Sequence, residues 1–462
     1  MEGSLRMMSR RVRGFAACLC VVLASVACPR GAGAAETKQI TLASAIATAL
    51  TSNIELRQAS YAVDSRSISV SRSMSEFLPN LSFSARGSKS FSRDYNETTD
   101  SFEGASSKSL SLGISSGIDL FSGFGRTASL RQSRLSLEAE RNSFVRTKQT
   151  IVFQVVSAFV QAVVDSEYIR VNEENLAAQR RLLDQVQAFY DAGKTPVADL
   201  YQQQAENASA ERQLLLSRRD YEVSKLALLE TLGLDPGTEC RIAAPDVESI
   251  ISQVSGLASA SALEEALARR SDIAAQEKQI EAARSQITAS RSGYWPSLSL
   301  SASAGTSYSS AAADRWGISD QLSKSNPSAS VGISLSFPLF DRLQTRNSVR
   351  QAQIQLREAE LALERLKLQV GVDVRQALED YAAAEKDIEV SNARLRYSEQ
   401  ALASTEARYG VKAATLVEVT QVRSSTLQAA YNSINARYML LLKGVAIAFY
   451  RGDIDGITSL FQ

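Results

Sequence analysis

The sequence predicts an α plus transmembrane β fold, in which a β-barrel drawing four strands from each chain is continued by a long α-helical coiled coil. Three observations carry that prediction. The chain is one unit written twice, with the second copy offset by about 219 residues. Each copy holds two stretches in which apolar and small polar residues alternate, the pattern of strands with lipid on one face and water on the other. From 127 to 190 and again from 341 to 409 no proline occurs, and the only glycine is Gly371. At 1.5 Å per residue each run makes a helix about 100 Å long, which calls for coiled-coil packing along its length.

Residues 1–35 read as a secretory signal. Arg6, Arg10, Arg11 and Arg13 precede an apolar run from Phe15 to Ala27, and small residues follow to Ala34 and Ala35, where cleavage is expected. The run falls short of the roughly 20 apolar residues that a spanning helix needs. A rival reading makes Cys28 of Ser25-Val26-Ala27-Cys28 a lipidation site, although Ser25 replaces the aliphatic residue usual in such signals. Cys18, Cys20 and Cys28 all lie in the leader, so a chain cut at Ala35 keeps Cys240 alone and has no internal disulfide.

The first repeat, 36–233, opens with a helix that begins near Thr41 and must end before Pro79. Past this proline the period changes from 3.6 to 2. Leu81, Phe83 and Ala85 alternate with Ser82, Ser84 and Arg86, and then Leu110, Leu112 and Ile114 with Ser111, Gly113 and Ser115. The long helix follows, with Ile169, Leu176, Leu183 and Tyr190 at seven-residue spacing, then a tip turn and a returning helix. Leu234-Asp235-Pro236-Gly237 breaks the periodicity and opens a connector, 234–258.

The second repeat, 259–443, starts at Ser261-Ala262-Leu263-Glu264, which has the spacing of a capping box. Tyr294-Trp295-Pro296-Ser297-Leu298 then restates Phe77-Leu78-Pro79-Asn80-Leu81. Leu298, Leu300 and Ala302, followed by Val331, Ile333, Leu335 and Phe337, supply the second pair of strands. Ile388, Leu395, Leu402 and Tyr409 match the first heptad series at one constant offset. Taken alone, the strands fit two soluble hairpins equally well. Four strands cannot close a channel, however, and an open sheet edge cannot lie in lipid, so a barrel requires strands from several chains.

Composition removes other classes of function. With 51 Lys+Arg against 50 Asp+Glu, and no charged tail, the chain lacks the electrostatic footprint of a nucleic-acid binder. The absence of histidine removes the commonest general base and metal ligand, and no metal site or other cofactor is expected. Gly123-Phe124-Gly125 reads as a strand-exit turn, since no third glycine or βαβ unit follows. Glu264-Glu265 reads as a solvated helix face. No catalytic constellation stands out, so an enzyme is not expected.

Over nearly the whole chain past the leader, the sequence resembles the TolC-like outer membrane efflux proteins. The resemblance rests on the duplication, on Leu78-Pro79-Asn80-Leu81 with Trp295-Pro296-Ser297-Leu298, and on Leu120-Phe121-Ser122-Gly123-Phe124-Gly125-Arg126 with Phe337-Pro338-Leu339-Phe340-Asp341. It implies a homotrimer with one twelve-stranded barrel in outer-membrane lipid and twelve helices forming a tunnel across the periplasm. It further implies passive conduction, with a periplasmic adaptor and an inner-membrane transporter supplying the energy. The connector, the region before Ser261 and the segment 444–462 would form a belt around the tunnel. The competing class is a periplasmic coiled-coil scaffold or adaptor, which would have a single long hairpin.

In that family the tip is the periplasmic mouth, often Arg-Tyr-x-x-Gly with an Asp six residues after the Gly. The first tip keeps Tyr190, Gly193 and Asp199 but has Phe189 in place of Arg. The second keeps Arg408 and Tyr409, with Lys412 for Gly and Glu418 for Asp. The resemblance makes Asp199, Glu418, Tyr190 and Tyr409 pore-gate candidates and Gly193, Lys194, Arg408 and Lys412 adaptor-contact candidates. Gln421 and Ala414 stand where family gates carry a second carboxylate and an Arg. Asp199 and Glu418 also suit helix N-termini, where negative charge is favoured, with Glu418 at the capping-box position from Thr415.

Overall fold

The computed structural model describes residues 38–97, 100–245, 248, 251, 261–312 and 316–453. The leader with Cys28, most of the connector beyond 245 and the end of the C-terminal segment lie outside the described residues. The chain divides into two units. The smaller, 1–39 with 239–241, carries most of a two-stranded sheet of β1 (Lys38–Ile40) and β4 (Cys240–Ile242). That sheet was not expected from the sequence, because three-residue strands leave too short a pattern to read.

The larger unit contains both repeats. The first comprises α1 (Leu42–Ser52), α2 (Ile54–Ser75), β2 (Asn80–Asn96), β3 (Ser101–Ser122), α3 (Gly125–Asp191) and α4 (Val197–Leu232). The second comprises α5 (Ala262–Arg269), α6 (Ser271–Arg291), β5 (Ser297–Ser309), β6 (Ser328–Ser336), α7 (Gln344–Gly410) and α8 (Leu416–Arg451). Helices α3 and α7 have 67 residues each, and α4 and α8 have 36 each. Helix α8 runs through Gly444, so the segment reserved at 444–462 begins inside a helix.

Local chemistry explains where the helices begin and break. Thr41 caps α1 in a reciprocal box with Ser44. The capping box expected at Ser261 is not formed: Ser261 adopts a helical conformation and its hydroxyl donates to the Glu265 carboxylate at 2.8 Å. The single entry helix expected in each repeat is split in two, at Asn53 and at Arg270. Asn53 caps α2 through Leu56 N and donates to Thr231 O at 2.7 Å, while Arg270 is held by Asp272 at 2.6 Å. A glycine packs against each break. Gly233 and Gly452 end α4 and α8 at φ +71° and +78°, and a Cβ on Gly233 would stand 2.5 Å from Ser52 O.

The sheet order is β2-β3-β5-β6, antiparallel throughout, with the outer edges of β2 and β6 unpaired among the described residues. Cross-strand register sorts its side chains onto two faces. One face carries Leu81, Phe83, Leu110, Leu112, Ile114, Leu298, Leu300, Val331, Ile333 and Leu335. The other is dominated by serine, with hydroxyls bonded across the strands at Ser82–Ser115, Ser88–Ser109, Ser90–Ser107 and Ser303–Ser330 at 2.7–2.8 Å. Leu81, Phe83, Val331, Ile333 and Leu335 are all exposed, which is the arrangement of a sheet with lipid against one face and water against the other. Between β5 and β6, a short helical stretch at 318–325 covers the end of β5. Gln321 is buried there and pairs with both backbone groups of Ser309.

Helix α3 includes an 18-residue window of mean hydropathy 1.3, apolar enough to cross a membrane by composition. That window is 61% buried, because Ile151, Val152, Val155, Val156 and Phe159 pack inside the unit. Phe153 stacks on Phe449 with ring centroids 4.9 Å apart, and the Arg146 guanidinium lies 4.1 Å from the centroid of the same Phe449 ring. Burial, aided by the like charge of Arg270, lowers the Arg146 guanidinium to about 10. Burial alone would raise the Asp272 carboxyl, yet the Arg270 hydrogen bond and the charges of Arg270 and Arg146 hold it below the usual carboxylate range. These groups tie α3, α6 and the end of α8 together where the second entry helix breaks.

Candidate functional site at the paired helix tips

The two tips close with the same backbone device. At the end of α3, Gly193 N donates to Tyr190 O and Lys194 N to Phe189 O; at the end of α7, Lys412 N donates to Tyr409 O and Ala413 N to Arg408 O. Both are Schellman turns, which place one residue in the left-handed region. Gly193 takes it at φ +67° and Lys412 at φ +62°. A lysine therefore adopts a conformation that glycine accepts freely. Its side chain offers a reason: Lys412 Nζ sits 3.9 Å from the centroid of Phe189 and donates to Lys194 O at 3.3 Å. Phe189 of the first tip is thus the seat for Lys412 of the second.

Beneath the turns lies a shared core of Leu182, Val186, Leu200, Tyr409, Leu416 and Val419, with Leu183, Phe189 and Ala414 against it. The two expected tyrosines part company here. Tyr190 is 39% exposed, whereas Tyr409 is 4% exposed and its hydroxyl has no hydrogen-bond partner. Burial raises the Tyr409 pKa, and the neighbouring Asp199 charge raises it further.

The two carboxylates sit in helix starts. Thr195 Oγ1 donates to Asp199 Oδ2 at 2.7 Å within the first turn of α4, whose N-cap is Pro196. Glu418 N donates to the Thr415 hydroxyl at 3.2 Å, so Thr415 caps α8. The Glu418 carboxylate also faces Arg408 at 3.6 Å, and Arg408 donates to Ala413 O at 2.9 Å. Both partners of that ion pair are largely exposed, so it contributes about 0–1 kcal/mol to stability. Sequence reading set Arg408 aside as a contact residue and missed this pairing, although the ten-residue separation across a tight turn was the available signal.

One feature near the tip had no sequence signal. Arg423, from α8, is buried against Glu406 of α7, beside a cleft of about 160 Å³ that also borders Arg181 and Tyr409. Burial lowers the Arg423 pKa, Glu406 opposes that, and Arg181 adds to it. Among the described residues, no group of His, Cys, Asp and Glu is arranged to hold a metal ion. What the tips present is a set of carboxylates and cations on rigid helix ends, suited to sorting charge and to docking.

The duplicated hairpins, the two-faced sheet and the paired tips meet a clear counterpart among known proteins. The outer membrane efflux protein family matches residues 45–234 and 262–452. The chain belongs to that family. This efflux protein is 24% identical over 408 residues to the outer membrane protein TolC of Escherichia coli strain K12, covering 87% of this chain and 80% of TolC. It is 27% identical over 333 residues to the pyoverdine export outer membrane protein OpmQ of Pseudomonas putida, covering 71% and 67%. Among solved structures, the CmeC outer membrane channel of Campylobacter jejuni matches with a TM-score of 0.75 at 16% identity, covering 89% of this chain and 85% of that one. VceC of Vibrio cholerae matches with a TM-score of 0.72 at 18% identity, covering 89% and 96%. The efflux protein is thus an outer-membrane channel that extends into the periplasm, and its family is one of channels, not enzymes.

Proposed function

We propose that three copies of this chain assemble into a duct with twelve strands and twelve tunnel-forming helices, through which cargo passes passively from an inner-membrane transporter and its periplasmic adaptor. The observation that supports this most is the sheet. Its four strands have an apolar and a serine-lined face, and two unpaired edges that lipid does not tolerate. Edge-to-edge joining of copies satisfies both edges and turns the serine face into a water-filled lumen. A hydroxyl lining without a dominant charge lets cargo of either sign pass, which leaves selection to the transporter and to the tips.

At the tips, Asp199 and Glu418 in three copies make rings of negative charge at the narrow end. Gly193, Lys194, Arg408 and Lys412 form the outward surface that meets the adaptor. Tyr190, being half exposed, accompanies the carboxylates, while Tyr409 supports them from the core. Planar bilayers containing the reconstituted protein test the ring. The parent channel should prefer cations at neutral pH, and the pair Asp199→Asn with Glu418→Gln should weaken that preference and any block by multivalent cations. The cap residues Pro196 and Thr415 are untouched, and the Glu418 backbone N–H still donates to Thr415, so assembly should persist. Unchanged selectivity in a normally assembled double variant would leave these carboxylates only their local place in the first turns of the two helices.

A further inference from the structure

The sheet carries a charge pattern that conduction does not use. Register places Lys89 of β2 directly opposite Lys108 of β3. Both lie on the apolar face, by the same alternation that puts Leu81, Phe83, Leu110 and Leu112 there. Directly opposed side chains have Cβ atoms about 4.5–5.5 Å apart, and like charges so placed destabilise the pair. Both lysines are exposed, and among the described residues neither makes an ion pair. The same face continues outward with aromatic and basic groups in alternation: Lys89 Nζ lies 4.6 Å from the Phe91 ring centroid, and the Arg93 guanidinium lies 5.6 Å from that of Phe102.

The position of this cluster follows from strand geometry. Strand β2 leaves the helical part at Asn80, and Lys89 is nine residues further along. At about 3.3 Å per residue and a tilt of roughly 35–45°, that distance is about 21–24 Å of height. The apolar band of such barrels is about 25 Å tall and is bordered by aromatic girdles. The paired lysines therefore stand where acyl chains give way to headgroups on the side of the membrane away from the helices, with Phe91 and Phe102 in the girdle.

We propose that Lys89 and Lys108, assisted by Arg93, bind the phosphate groups of lipid headgroups in the outer leaflet. A phosphate seated between the two ammonium groups replaces a repulsion by two charge-assisted hydrogen bonds, and the guanidinium can hold a second anionic oxygen. This site rests on the barrel reading of the sheet, and its test is separable from that reading. The full-length protein in a neutral detergent is titrated with bisphosphorylated lipid A, with the same glycolipid stripped of phosphate, and with inorganic phosphate. The double variant Lys89→Gln with Lys108→Gln should bind lipid A about 10- to 30-fold more weakly than the parent. The stripped glycolipid should bind the parent no better than lipid A binds that variant. A second variant, Lys108→Glu, removes the repulsion; it should melt at a higher temperature than the parent without lipid and lose the upward shift that lipid A gives the parent. Equal lipid A affinity in the parent and the double variant would overturn the proposal, as would equal stabilisation of Lys108→Glu by lipid A. Displacement of lipid A by an equal concentration of inorganic phosphate would also overturn it, by making the free ion the ligand. Particle mass and channel conductance, measured on the same samples, report on the barrel independently.

Discussion

Tyr409 offers a sharp test of the tip. Its side chain is enclosed by Leu182, Val186, Leu200, Leu416 and Val419, and its hydroxyl is buried without a hydrogen-bond partner. An unsatisfied buried polar group costs about 1–3 kcal/mol. Replacing Tyr409 by Phe removes that cost and leaves a void of only an oxygen atom's size, so the tip should gain about 1 kcal/mol. Hydrogen exchange of the amides around Val186, Leu200 and Val419, measured on the assembled protein, should then slow by about fivefold. The change should also alter the response to alkali. Burial and the Asp199 charge raise the folded-state pKa of Tyr409 above its unfolded value of about 10. Its contribution is therefore fully present below pH 10 or so and is lost as pH rises through the raised value. The parent tip should loosen at high pH and the Phe variant less so, while Tyr190→Phe, at a half-exposed site, should change neither property. Faster exchange in Tyr409→Phe would refute the reasoning, because it would mean that the hydroxyl has a partner worth keeping.

Three other sites give predictions of different size. Gly233→Ala forces a Cβ to within 2.5 Å of Ser52 O at φ +71°, whereas Gly452→Ala meets its nearest atom, Arg270 Cα, at 3.3 Å. A left-handed alanine costs about 1–2 kcal/mol at either site; at the first it also overlaps the Ser52 backbone outright, whereas at the second Arg270 need give by only a few tenths of an ångström. Loss of helical circular dichroism on heating should therefore come earlier in Gly233→Ala than in Gly452→Ala, and equal midpoints would contradict the packing described. Asn172 is 1% exposed, donates to Ser217 Oγ at 2.6 Å and accepts from the Tyr431 hydroxyl at 2.5 Å. Asn172→Ala strands the tyrosine hydroxyl and should cost about 2–3 kcal/mol, read as a lower midpoint in the same assay.

Much of the architecture was legible because it depends on local pattern. Period-2 segments after Pro79 and Pro296 became strands, and the proline-free runs became helices of equal length, since each signal needs only neighbours in sequence. What escaped depends on distant partners. The break at Asn53 is stabilised by Thr231, 178 residues away, and the one at Arg270 lies beside Asp373 of α7. The Ser261 spacing fitted a capping box, but the backbone conformation that the box requires is not adopted there. At the tips, matching heptads made Tyr190 and Tyr409 look equivalent. They are not, because the second tip folds Lys412 over Phe189 whereas a Cβ on Gly193 would meet open space. The duplication holds for the lengths of the long and returning helices and not for the side chains at their tips, and the candidate site lies in the difference.

A channel built from this chain requires edge-to-edge assembly of the four-stranded sheet. Native mass spectrometry of the protein extracted from outer membranes in mild detergent measures it directly. Particles should contain three chains, with no appreciable monomer. A stable particle of one chain, soluble without detergent, would contradict it.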